Sequence, residues 1–147
     1  PIFSADGKRV AYGAKKGDKC MVVVDGQEGA EYDAIREDTL IFSADGKRVA
    51  YRAWKRDKCL VVVDGEASAE YDAIAEGSPV FSADGKRVAY RTWKGVKRLV
   101  VVDGQEVGAD YYDGIVKNGP TFHSDGVLEY LAVKDNSLYR VKYIPVP

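Results

Sequence analysis

The sequence predicts an all-β chain: an array of four-stranded antiparallel units, three of them full and a fourth with three strands. Three observations carry this. The decapeptide Phe-Ser-Ala-Asp-Gly-Lys-Arg-Val-Ala-Tyr begins at Phe3, Phe42 and Phe81, 39 residues apart each time, and a degraded copy begins at Phe122. A fixed period of this size marks one supersecondary unit that needs neighbours to bury its apolar faces. Asp-Gly pairs separate short apolar runs in every full copy, which is a strong hairpin signal. Finally, the runs are β-branched and no segment sustains a 3.6-residue apolar period, so helical repeats are excluded.

The second copy shows the elements in order. Leu40-Ile41-Phe42-Ser43 is strand A, and Asp45-Gly46 predicts a type I′ turn after it. Strand B follows, with Val49, Tyr51 and Ala53 alternating with Arg48, Ala50 and Arg52. A polar turn over Lys55-Arg56-Asp57-Lys58 leads into strand C, Cys59-Leu60-Val61-Val62-Val63. Asp64-Gly65 reverses the chain, and Glu70-Tyr71-Asp72-Ala73-Ile74 is expected as strand D, the polar outer edge.

Strand C carries the tertiary expectation. Val22-Val23-Val24, Val61-Val62-Val63 and Val100-Val101-Val102 show no alternation, so both faces of each strand should be covered. A β-propeller does this, because each blade lies between two others. The blades would run over about residues 1–38, 39–77, 78–118 and 119–147 of a single repeat domain.

Phe42-Ser43-Ala44-Asp45-Gly46-Lys47-Arg48-Val49-Ala50-Tyr51 resembles the bacterial WD-like propeller repeat of the TolB-like group. That repeat carries an aromatic-Ser-Pro-Asp-Gly-Lys stretch before a short Ile/Val-Ala-aromatic strand. Ala5, Ala44 and Ala83 stand where it has Pro. The resemblance implies a propeller that serves as a docking module, a periplasmic or extracellular component, or the cover of a peptidase domain.

The fourth copy breaks the pattern. Its B strand is one residue short, and its C strand places Arg140 and Lys142 where the valines would stand. The third copy carries two extra residues near Val107 to Tyr112, and Pro145-Val146-Pro147 follows the last C strand before any D strand. Three full blades and three further strands leave three outcomes: a small closed ring, a ring completed by a second copy, or an open arc. The apolar face of the first blade favours self-association.

Composition excludes several function classes. Among 147 residues, 22 Lys and Arg balance 23 Asp and Glu, a net charge of −1. Nothing here drives the chain toward nucleic acid, and no apolar run reaches the ~20 residues of a membrane-inserting helix. The chain opens inside the motif, as expected of a mature product or a piece of a longer array. Cys20 and Cys59, at equivalent positions, are expected as free strand-borne thiols. His123 is the only histidine and no local Ser or Cys constellation around it suggests a triad, so neither catalysis nor a metal or other cofactor is expected. The Asp-Gly turns, including Asp6, Asp25, Asp84 and Asp103, lack the spaced oxygen ligands of a calcium loop.

In a propeller the B–C and D–A loops share one rim. Here it would carry Lys15, Lys16 and Lys19, then Arg52, Trp54, Lys55, Arg56 and Lys58, then Arg91, Trp93, Lys94 and Lys97. Arg36, Glu37, Asp38, Glu76, Lys117 and Asn118 join from the D–A loops. Trp and Arg are the residue types that anchor protein partners or stack on sugars. The expected function is a non-catalytic scaffold docking a protein through Arg52, Trp54, Lys55, Arg56, Arg91, Trp93 and Lys94. The alternatives are the propeller portion of a hydrolase and a sugar-binding propeller. Packing of both tryptophans between blades is the plainer expectation for those two side chains.

Overall fold

The chain forms four antiparallel sheets and, among the described residues, no helix; the computed structural model describes residues 1–108, 114–115 and 119–144. Sheet 1 holds β1 (Ile2–Phe3), β2 (Val10–Lys16), β3 (Lys19–Val24) and β4 (Gln27–Glu28), paired in that order. Sheet 2 repeats the order with β5 (Ala34–Phe42), β6 (Val49–Lys55), β7 (Lys58–Val63) and β8 (Glu66–Ala67). In sheet 3, β9 (Ala73–Ile74) and β10 (Val80–Phe81) both pair with β11 (Val88–Lys94), followed by β12 (Lys97–Val102) and β13 (Gln105–Val107). Sheet 4 places β14 (Gly114–Ile115), β15 (Thr121–Phe122) and β17 (Ser137–Tyr143) on β16 (Leu128–Lys134). The insertion expected in the third copy falls largely on residues 109–112, outside the described residues, as do Lys117, Asn118 and residues 145–147.

The Asp-Gly hairpins divide into two kinds. After strand C, Asp25, Asp64 and Asp103 have φ near +50° and each following glycine lies near +83°, the type I′ pattern. Asp64 accepts the Val49 N–H at 2.9 Å and the Arg48 Nε–H at 2.8 Å, which ties the turn to the start of strand B. The A–B turn corrects the sequence expectation. Only Gly46 takes positive φ there, at +72°, because the Asp45 side chain closes the loop instead. Asp45 Oδ1 accepts the Ser43 hydroxyl at 2.6 Å and the Lys47 N–H at 3.1 Å, while Ser43 Oγ accepts the Arg48 N–H at 3.0 Å.

The expected D strand is also corrected. The outer edge is the two-residue β8, and the Glu-Tyr-Asp segment connects two sheets. In the first copy, Tyr32 exchanges two backbone bonds of 2.8 Å with Cys20 of sheet 1, then Ala34 and Ile35 pair with Trp54 and Ala53 of sheet 2. Tyr32 is therefore core rather than edge: it is buried, and its ring meets Tyr51 edge-on at 6.5 Å. Within β5 a bulge separates Arg36 from Ile41, held by Thr39, whose hydroxyl donates to Arg36 O at 2.7 Å and accepts the Arg52 N–H at 2.9 Å.

Contacts gather in two compact units, residues 1–71 and 72–147. In the first, Ala11 and Val22 of sheet 1 pack with Val49, Tyr51, Ala53, Leu60 and Val62 of sheet 2. In the second, Ala89, Val100 and Val102 of sheet 3 pack with Leu128, Tyr130 and Ala132 of sheet 4. The middles of the valine runs are buried, as their lack of alternation requires: Val61, Val62, Val100 and Val101 are fully inaccessible, while Val24 and Val63 at strand ends are half-buried.

Candidate functional site

Each tryptophan sits at the end of a B strand, just before a two-residue turn. In the first unit Lys55 pairs with Lys58 across Arg56 and Asp57. In the second Lys94 pairs with Lys97 across Gly95 and Val96. The first turn residue alone has positive φ, the type II′ pattern that favours glycine. Gly17 (+65°) and Gly95 (+62°) meet that demand, and Arg56 (+60°) occupies the same conformation with a side chain.

An aspartate locks each turn. The Asp33 N–H donates to Trp54 O at 2.9 Å, and the Asp33 carboxylate accepts the Arg56 N–H. Asp72 does the same to Trp93 O at 3.0 Å and to the Gly95 N–H at 2.6 Å. Asp33 also pairs with the Lys19 ammonium. That bond, then the one from Arg56, holds the Asp33 carboxyl below its ordinary range, and Asp33 raises Lys19 in turn. Sequence reasoning missed these aspartates; the signal available was an invariant Tyr-Asp pair one period apart.

The predicted binding residues fall into three layers. Arg52 and Arg91 are buried, 7% and 6% exposed, although a rim role would expose them. Their guanidinium carbons lie 5.4 Å and 5.6 Å from the ring centres of Trp54 and Trp93, within cation–π range. Burial, reinforced by Arg98, pulls the Arg91 guanidinium below its ordinary value, and Arg98 itself approaches the Trp93 ring at 5.8 Å. Trp54 and Trp93 are half-buried, and Lys55, Arg56 and Lys94 are exposed. Arg52, Trp54, Lys55 and Arg56 thus form one contiguous set in the first unit, and Arg91, Trp93 and Lys94 another in the second.

Sheet 1 departs from this pattern. Gly13 and Lys15 stand at the positions of Arg52 and Trp54, and a cavity of about 400 Å³ opens there, lined by Gly13, Lys15, Cys20, Asp33 and Glu37. A Cβ on Gly13 would fall 2.6 Å from Glu37 Oε1, so the D–A loop carboxylate occupies part of the space the arginine takes elsewhere. Both cysteines are free thiols, Cys59 buried and Cys20 partly so.

A second cavity of about 500 Å³ lies among the Asp-Gly turns of the first unit, with Val22, Val24, Val49 and Tyr51 as walls and Arg9, Asp25, Lys47 and Asp64 at its edge. Those aspartates are engaged by turn bonds, and no cluster of three metal-ligating side chains occurs among the described residues. His123 stands where the other copies have serine; its Nε2 lies 3.2 Å from Glu129 Oε2, on the surface. No family model matches the chain, and no curated protein does.

Proposed function

We propose that the chain is a β-propeller-type scaffold, of the WD-like kind its repeat resembles, that docks a protein partner through the B–C turns. One observation carries the reading. A half-buried indole precedes the B–C turn in sheet 2 and again in sheet 3, beside a buried guanidinium at 5.4 Å or 5.6 Å and followed by exposed cations. An aromatic anchor held rigid before binding loses little entropy on contact, and a cationic surround favours an acidic partner surface. The aspartate latches support this: they hold both turns at their bases.

The test compares Trp54→Ala and Trp93→Ala with the parent chain in affinity capture from a native extract. Both variants should keep a cooperative melt and lose the partner that the parent retains. Partner retention by both, or a collapsed melt with the partner still bound, would overturn the reading. Retention of oligosaccharide by the parent and not by the variants would move the assignment to a sugar.

A further inference from the structure

We infer that the cavity among the Asp-Gly turns of the first unit binds a small neutral alcohol, whose hydroxyl takes at Gly29 the place that Ser68 Oγ holds one period later.

The comparison lies between equivalent residues of sheets 1 and 2. Gly29 and Ser68 stand 39 residues apart, as do Val22 and Val61. Both copies share one bond: Gly29 N–H donates to Val22 O at 2.9 Å, and Ser68 N–H to Val61 O at 2.8 Å. The return bond differs. Val61 N–H donates to Ser68 Oγ at 3.0 Å, and that hydroxyl donates in turn to Ala69 O at 2.8 Å. Gly29 has no hydroxyl to offer, so the Val22 N–H meets no acceptor among the described residues, although Val22 is only 2% exposed. A buried donor left in this way calls for a partner from outside the chain.

A second unmet group faces the same place. Tyr51 is 4% exposed, and its hydroxyl has no hydrogen-bond partner among the described residues. A Cβ built on Gly29 would stand 3.7 Å from Tyr51 Oη, so an oxygen one bond further on falls within its reach. Burial pushes the Tyr51 phenol up, which keeps it neutral and able both to donate and to accept. Val22, Gly29 and Tyr51 all line the cavity of about 500 Å³, a volume suited to a small organic molecule.

The rest of the cavity selects the class of molecule. Val22, Val24 and Val49 give it apolar walls, which suit a hydrocarbon body. Charges at its edge are already matched: Arg9 pairs with Asp25 and Arg48 with Asp64, both at 2.8 Å, and Glu28 meets Lys16 at 3.5 Å. Lys47 makes no ion pair among the described residues, and it is exposed. A ligand charge set against the valines would therefore find no buried counter-ion, whereas a hydroxyl finds a donor in Val22 N–H and a partner in Tyr51.

Two-dimensional amide NMR of the full chain, titrated in turn with benzyl alcohol, toluene and sodium benzoate, tests this. Benzyl alcohol should shift the Val22 and Gly29 amides saturably, with the Val22 proton moving downfield as it gains an acceptor. It should bind roughly 3-fold or more tighter than toluene or benzoate. Tyr51→Phe should keep the parent's melt, because the lost hydroxyl had no partner. The same variant should weaken benzyl alcohol by roughly 3- to 10-fold and leave toluene unchanged. No saturable shift at Val22 and Gly29, equal binding of toluene, tighter binding of benzoate, or a Tyr51→Phe chain that holds benzyl alcohol as tightly as the parent would each overturn the inference.

Discussion

The carboxylate of Asp33 accepts the backbone N–H of Arg56, 23 residues further along the chain, while the Asp33 N–H donates to Trp54 O at 2.9 Å. One residue in the connecting segment thus fixes the turn that follows the next tryptophan. Strand β5, the Asp45-Gly46 turn and most of β6 lie between them, so the latch forms only when β5 lies beside β6.

Acid should weaken the chain through this latch and its relatives. Hydrogen bonds hold Asp6, Asp25, Asp33, Asp45 and Asp84 below the ordinary aspartate value of 3.8. Between their folded and unfolded values the unfolded chain binds more protons, so stability rises with pH there. Stability should hold from neutral pH to about pH 4 and fall below it as these carboxyls protonate. All are exposed, so 1 M salt should flatten the loss. Urea midpoints measured from pH 7 to pH 2 check this, and Asp33→Asn should show a shallower acid limb than the parent. Parallel limbs would remove Asp33 from the account.

Arg56 holds a positive φ that its counterparts Gly17 and Gly95 adopt without a side chain. A non-glycine residue in such a conformation costs ~1–3 kcal/mol, partly offset by the entropy glycine loses on folding. Arg56→Gly should therefore stabilise the chain by about 1 kcal/mol in denaturant titration. A loss of stability would show that the Arg56 side chain holds the turn.

Burial separates two leucines of similar strand position. Leu60 is 2% exposed within the first core, and Leu138 is 64% exposed on β17. Leu60→Ala should cost ~2–5 kcal/mol, a transfer and cavity loss, whereas Leu138→Ala should stay within ~0.5 kcal/mol. Chemical denaturation of the two variants distinguishes them, and equal losses would place β17 in a core.

Ser43 is buried and bonds in two directions, donating to Asp45 and accepting from Arg48. Ser43→Ala leaves the Arg48 N–H without its acceptor and should cost about 1–3 kcal/mol. Differential scanning calorimetry reads this as a lowered melting temperature. An unchanged midpoint would mean water replaces the hydroxyl at that turn.

The repeat and its hairpins were legible because Asp-Gly and valine runs carry local information. The buried valines followed from a missing alternation, a property of the strand alone. The hand-over at Tyr32 and Asp33 was not legible, since a single bridging residue has no period to show which neighbour it bonds. Arg52 misled for a related reason. Its alternation with Tyr51 and Ala53 read as a polar face, but Ala50 and Arg52 are buried as Tyr51 and Ala53 are. The place of the tryptophans at the ends of strands β6 and β11 was readable from the repeat, whereas the guanidiniums stacked on their rings needed coordinates.

Position in the array, rather than sequence, decides which copy of the repeated face is covered, and hydroxyl-radical footprinting of the tyrosines tests this most directly. Trypsin releases Tyr12 in a peptide of residues 10–15, while Tyr51 and Tyr90 emerge in the shared peptide Val-Ala-Tyr-Arg. In dilute solution Tyr12 should label several-fold faster than the shared peptide, matching exposures of 38% against 4% and 1%. Equal labelling of the two peptides would contradict the account.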